Sequence, residues 1–302
     1  MGHNHRHHHH STQLSGKKMG FSILLNVLIT VAQIIGGLVS GSISLLTDAL
    51  HNFSDVFSLF ISYGANKMAG RESTLKQTYG YRRAEVLAAF INSATLIGIA
   101  VFLAIKAVER IFEPKSIDSE IVIWLALGSI MVNFLCVFLL KGDAKENMNV
   151  RSAYLHLLSD ALTSVAVMLG GFFMKFYQIF WVDSVLSLLI AAYLVYMSWN
   201  LLLQSTKVLM QFVPADINLE KISREVMKIE GIKNLHHIHI WQLDDRDVVF
   251  EGHIDLAENI TIYEFEKKLE LIDKVLRSNG INHCNIQPEY GRKDDKDLVV
   301  QH

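Results

Sequence analysis

Six stretches of this chain are apolar over a length that crosses a bilayer. They run approximately 19 to 40, 43 to 68, 84 to 112, 119 to 141, 150 to 177 and 179 to 206, and about 20 residues of helix span roughly 30 Å of hydrocarbon. Pro114, Pro214 and Pro288 all fall outside these stretches, so the spans are expected to be continuous helices. Beyond Pro214 the pattern changes: charged residues become frequent and no run is long enough to span. Periodicity there predicts a helix over 217–229, strands over 235–243 and 247–256, a helix over 261–278 and a strand over 282–287. Asp244-Asp245-Arg246 is the expected hairpin turn, and Gly280 the stop after the second helix. The expected fold is an α-helical membrane protein with six transmembrane helices plus a small α+β domain of order αββαβ. The chain divides into a His-rich cytoplasmic tail (1–18), a membrane domain (19–211) and a cytoplasmic C-terminal domain (212–302). So small a soluble core is expected to need a partner surface or a bound metal.

Composition agrees with a lipid bilayer as the surroundings, with 51% hydrophobic and 19% charged residues. A net charge of -2, with no basic stripe interleaved with aromatics, excludes nucleic acid as a partner. Lys17, Lys18, Lys67, Arg71, Lys76, Arg82, Arg83, Lys141, Lys145 and Arg151 gather on one side of the expected spans. The other side carries Arg110, Lys115 and Lys175. Basic residues face the cytoplasm, so both termini are expected there, in a multi-pass protein of a bacterial inner membrane. Cys136 and Cys284 are expected as free thiols. The opening MGHNHRHHHH is either an expression tag or a native metal-collecting segment.

Against this apolar background one polar signature, H-x-x-S-D, occurs twice, at His51 to Asp55 and His156 to Asp160. An ionisable side chain in hydrocarbon costs roughly 2.5 to 3.5 kcal/mol, so four of them need a compensating partner. Residues four apart lie on one helix face about 40° apart. Bringing the two faces together gives two imidazoles and two carboxylates, a donor set that suits tetrahedral Zn²⁺. Two carboxylates also neutralise one dication. On its release, protons are expected to take its place, since repulsion and desolvation both favour protonated carboxylates. A Zn²⁺/H⁺ antiporter follows as the expected activity, with zinc the transported substrate and protons the counter-substrate. Ser54 and Ser159, with Ser58 and Thr163, suit close helix approach or a supporting role to the ligands. Asp48 shares a face with Asp55 and either lines the metal's route or caps the helix start. Asn26, Asn92 and Asn133 are read as packing contacts. Four other readings remain: structural interhelical hydrogen bonds between these histidines and aspartates, a transporter selecting Mn²⁺, Fe²⁺ or Co²⁺, a metal-gated sensor without transport, and an intramembrane zinc hydrolase. The last lacks an H-E-x-x-H glutamate and an open coordination position, and no enzymatic activity is expected.

Histidines also cluster in the soluble domain, at His236, His237, His239, His253 and His283. Strand alternation puts His237 and His239 on one face and His236 on the other. His236, His253 and His283 are the expected regulatory metal ligands, with His237 and His239 as an alternative set and Cys284 a softer candidate.

Leu46-Thr47-Asp48-Ala49-Leu50-His51 through Asp55, Thr78-Tyr79-Gly80-Tyr81-Arg82-Arg83-Ala84-Glu85, and Asn149-Val150-Arg151-Ser152-Ala153-Tyr154-Leu155-His156 through Asp160 resemble the cation diffusion facilitator family. Trp181-Val182-Asp183 and His236 to Trp241 are similar to its zinc-exporting branch. The resemblance covers about residues 16 to 290. It implies a homodimer of six-span protomers that exports metal in exchange for protons, with metallochaperone-like C-terminal domains. It also implies that His51, Asp55, His156 and Asp160 form the transport site, with histidine at the first position favouring zinc, and that Arg83 and Asp216 form a charge pair. The connection from Lys67 to Arg83 contains no histidine, so the additional metal site that some relatives carry there is not expected.

Overall fold

A computed structural model of the chain describes residues 10–141, 148–244 and 247–300. Residues 1–9 of the His-rich tail, Lys145, the turn residues Asp245 and Arg246, and His302 lie outside the described residues, as do the side chains of Lys17, Lys18 and Arg151. Six long helices come first: α1 (His10–Ser40), α2 (Ile43–Ala69), α3 (Ala84–Phe112), α4 (Ser119–Leu140), α5 (Met148–Tyr177) and α6 (Trp181–Leu209). Then follow α7 (Leu219–Val226), β1 (Ile232–Gln242), β2 (Val248–Leu256), α8 (Ile262–Ser278) and β3 (His283–Glu289). The chain forms two compact units, one of residues 1–63 and 91–201, the other of residues 64–90 and 202–302.

The first unit buries polar side chains among its apolar core and exposes large apolar ones. Gln33, Asp48, Ser129, Asn133, Ser164 and Asp183 are fully buried, while Phe138 and Phe176 are more than 70% exposed. That is the arrangement lipid favours. Among the described residues, five helical segments are long and apolar enough to cross a membrane: 20–40, 84–112, 119–140, 154–177 and 181–209. The helix missing from that set is α2, whose Asp48, His51, Asn52 and Asp55 interrupt its apolar character. Close packing on both sides of α5 depends on Gly170 and Gly171. A Cβ at Gly171 would stand 2.8 Å from Ile123 Cγ1 of α4, and one at Gly170 would overlap Leu186 Cδ1 of α6.

Asp183, near the start of α6, ties down the beginning of α2. Its carboxylate accepts hydrogen bonds from Ser42 Oγ and Ser44 Oγ, each at 2.5 Å, and from the Ile43 and Ser44 amides at 2.8 and 3.3 Å. The opening amides of a helix lack intrahelical acceptors and carry partial positive charge, so an anion here caps α2 from another helix. The Arg110 guanidinium donates to the Gly41 carbonyl beside it.

In the second unit the αββαβ order is present. Antiparallel β1 and β2 are joined by a turn in which Leu243 N donates to Asp247 O and Asp247 N to Asp244 Oδ1. After β2 the chain passes through α8 and returns as β3, parallel to β2, giving the sheet order β1-β2-β3. Helix α8 starts at a Thr261/Glu264 capping box and is followed by Gly280 at φ +85°. Its Ile272 and Leu276 pack with Ile222, Phe250 and Ile254 in one core. Both cysteines are free.

Candidate metal centres

Helical spacing puts His51 and Asp55 one turn apart on α2, and His156 and Asp160 one turn apart on α5. The four side chains close into a ring. His51 Nδ1 lies 3.4 Å from Asp55 Oδ2, which lies 3.2 Å from His156 Nε2. His156 Nε2 is 3.6 Å from Asp160 Oδ2, and Asp160 Oδ1 is 3.5 Å from His51 Nε2. Two ligands of a tetrahedral zinc with bonds of about 2.0 to 2.2 Å stand about 3.3 to 3.6 Å apart, so every edge of the ring is close to a coordination edge. Closing on one ion requires His51 to present a single nitrogen, because Nδ1 faces one aspartate and Nε2 the other. His51 Nδ1, Asp55 Oδ2 and Asp160 Oδ1 are buried and make no hydrogen bond. The ring is more open on one side, with Asp160 3% exposed and His156 44%.

Asp48 lies outside this ring. It is fully buried and does not cap α2, which begins five residues earlier. Its carboxylate accepts from Gln33 Nε2 at 2.9 Å, Thr163 Oγ1 at 3.0 Å and Ser164 Oγ at 3.1 Å. Thr163 is also 2.8 Å from the Asp160 carbonyl, and Ser164 is 2.9 Å from Ser129 Oγ. The Thr163 hydroxyl therefore has one proton for two acceptors, while Ser164 can accept from Ser129 and donate to Asp48. Ser54 reaches Asn92, and Ser159 reaches Tyr193, so the hydroxyls support the ring's surroundings and not its carboxylates.

In the C-terminal domain the structure brings together His236, His253, Glu289 and Asp294, whose candidate ligand atoms all lie within 4.8 Å of one another. His236 and His253 are paired across β1 and β2. His283 is not with them: in the parallel register it sits beside Val249, while His253 sits beside Gln287, four residues or about 13 Å along the strand. The expected set of His236, His253 and His283 is thus corrected to His236 and His253 with two carboxylates. The signal was available, because two strands joined through a helix of this length run parallel. The expected alternation also fails, since His237 adopts φ +51° where the β1 register shifts. Its ring stacks on His253 at 4.6 Å between centroids.

The group fits a metal by its donors. His253 Nδ1 is buried without a hydrogen-bond partner, although Glu289 Oε1 is only 3.1 Å from it, and His236 Nε2 faces Glu289 Oε2 at 3.4 Å and Asp294 Oδ2 at 3.9 Å. Burial pushes the Glu289 carboxyl up, but hydrogen bonds from Lys296 and Gln287 outweigh it and hold the group below its ordinary range. Lys296 also holds Asp294 low. Both carboxylates therefore stay ionised, as metal ligands must.

Near the start of α3 the charge pair differs from the expected one. Arg82 Nη1 is 3.1 Å from Asp244 Oδ2 and 2.5 Å from Asp247 Oδ2. Arg83 Nε is buried without a hydrogen bond, and no ion pair joins Arg83 to Asp216 among the described residues.

Residues 20–210 match the family model of the cation efflux transmembrane domain, and residues 214–290 match that of the cation efflux protein cytoplasmic domain. The chain belongs to the cation efflux family. Among its relatives is a cadmium, cobalt and zinc/H(+)-K(+) antiporter of Bacillus subtilis (strain 168), 32% identical over 93% of this chain and 91% of that protein. The zinc transporter ZitB of Pectobacterium atrosepticum is 31% identical over 98% and 91%. The metal cation efflux system protein CzcD of Cupriavidus metallidurans is 31% identical over 100% and 94%. With its five apolar helices, this cation efflux protein is a multi-pass membrane protein, and the two matched regions agree with the resemblance read from its motifs.

Proposed function

We propose that this protein exports Zn²⁺ from the cytoplasm in exchange for protons, by alternating access of the ring formed by His51, Asp55, His156 and Asp160. In this reading α2 is a sixth span, both termini are cytoplasmic and two copies form a homodimer in a bacterial inner membrane. The observation that carries it is the set of four donor-to-donor edges between 3.2 and 3.6 Å, three of whose atoms lack any hydrogen bond. Two imidazoles favour zinc over Mn²⁺ and Fe²⁺, which prefer oxygen donors. The relatives' names extend the cargo to Cd²⁺ and Co²⁺.

The ring's charge supplies the coupling. With a dication bound, two carboxylates and two neutral imidazoles sum to zero, which suits a low-dielectric interior. When the ion leaves, the anions repel each other and the site takes up protons. Neither state then carries net negative charge across the membrane. The group of His236, His253, Glu289 and Asp294 is a second zinc site, and its occupancy biases transport.

Zinc uptake into proteoliposomes with an imposed proton gradient tests the transport reading. Uptake is expected to depend on that gradient and to be lost in Asp55→Ala and Asp160→Ala, together with stoichiometric zinc binding. Flux that continues unchanged after the gradient is collapsed would refute proton exchange.

A further inference from the structure

The C-terminal strand-and-tail region carries its own cation. Lys296 Nζ donates to Asp255 Oδ1 at 2.9 Å, to Glu289 Oε2 at 3.0 Å and to His236 Nε2 at 3.2 Å, and it pairs with Asp294. Three of those four partners belong to the donor group of the second zinc site.

The backbone around Lys296 is strapped to β1. Asn234 Nδ2 donates to the Lys296 carbonyl at 3.3 Å, His237 N to Asp297 O at 3.1 Å and Ile238 N to Leu298 O at 2.9 Å. The last two amides lie at the register shift between His236 and His239, where pairing with β2 is interrupted. Leu298 packs against the domain core. The strap thus uses β1 amides that the bulge frees, and its preceding residue delivers a positive charge to the carboxylates.

We propose that Lys296 is a tethered competitor of the metal: a divalent ion enters the group of His236, His253, Glu289 and Asp294 only when the ammonium leaves, and its departure frees residues 296–298 from β1. This rests on the reading of that group as a zinc site and adds its regulation. The exclusion is both spatial and electrostatic. An ammonium about 3 Å from a carboxylate oxygen and an imidazole nitrogen of the ligand set occupies the space the ion needs, and a dication beside it is repelled. Asp294 differs from Lys296 in being needed in both states, so the strap opens beyond Asp294 with that residue as its pivot. Apparent affinity is the intrinsic affinity scaled by the fraction of open molecules. The strap therefore sets the free-metal threshold at which the domain responds.

The test is hydrogen exchange of the full-length protein in zinc-buffered solution, with Asp55→Ala and Asp160→Ala included to silence the membrane ring. Exchange in β2 around His253 reports occupancy, and exchange at the His237 and Ile238 amides reports the strap. Zinc is expected to slow the first and speed the second with the same midpoint. Lys296→Met is expected to move that midpoint to about tenfold lower free zinc and to leave the β1 amides fast-exchanging from the start. His253→Ala, used in place of a buried-carboxylate variant that threatens folding, should abolish both responses. If zinc protects β2 equally in the parent and in Lys296→Met while the β1 amides remain protected, the competition is overturned. If zinc changes neither segment in either protein, the metal site itself is wrong and the latch goes with it.

Discussion

Two groups of four donors, each with two histidines and two carboxylates, differ in what balances their charge. In the membrane unit, His51, Asp55, His156 and Asp160 have no lysine or arginine paired with them among the described residues, and three of their atoms lack hydrogen bonds. In the C-terminal domain, Lys296 and Arg292 both reach Glu289 and Asp294. A site that carries cargo through a low-dielectric region gains from having no built-in cation, because only mobile ions and protons are then available to neutralise it. A sensing site gains from a built-in one, since a competitor on the same chain fixes its threshold. On the proposed reading, the same residue types serve opposite needs.

The comparison breaks most decisively at a carboxylate of the ring. Asp160→Ala is expected to lower zinc flux in proteoliposomes at least about 100-fold, beyond the loss of a supporting partner, while the C-terminal exchange response to zinc survives. His51→Asp should keep a binding ring but raise Mn²⁺ flux relative to Zn²⁺, because it trades nitrogen for oxygen. It also leaves one negative charge uncompensated, so zinc flux falls; a variant with the parent's metal ranking would remove the selectivity argument. His253→Ala is expected to weaken C-terminal zinc binding by about 10- to 100-fold with ring binding intact, whereas His283→Ala leaves both unchanged. Among the substitutions expected to act, the smallest effect belongs to Asp48→Asn. Its new amide donors would face Gln33, Thr163 and Ser164, costing about 2 kcal/mol in unfolding free energy, with ring binding kept. Thermal unfolding and zinc titration of the same sample separate the two quantities.

The ring was legible in the sequence because both its pairs are local: His51/Asp55 and His156/Asp160 are each one helical turn apart, and helix geometry fixes such neighbours before any tertiary contact forms. Element order in the C-terminal domain was equally accessible, with α8 expected over 261–278 and found at Ile262–Ser278. What failed depended on registers that no local pattern fixes. His283 was placed by its position in the strand and displaced by the direction of β3, which the intervening helix implied. The bulge at His237 overrode simple alternation, and nothing about Asp294 or Lys296 in an ordinary charged tail signals that it folds back onto β1. Asp48 is the complementary case: helix geometry fixes the face it shares with Asp55, while its partners Gln33 and Ser164 come from two other helices.

The carboxylate of Asp183 has a mechanical consequence. By gripping Ser42, Ile43 and Ser44, it gives α2 a fulcrum at its first turn. His51 then sits about 12 Å along the lever and Asp55 about 18 Å along it, at 1.5 Å per residue. A tilt that shifts the imidazole by one ångström carries Asp55 through about one and a half, so the two ligands of α2 move by unequal amounts and the ring changes shape as the helix tilts.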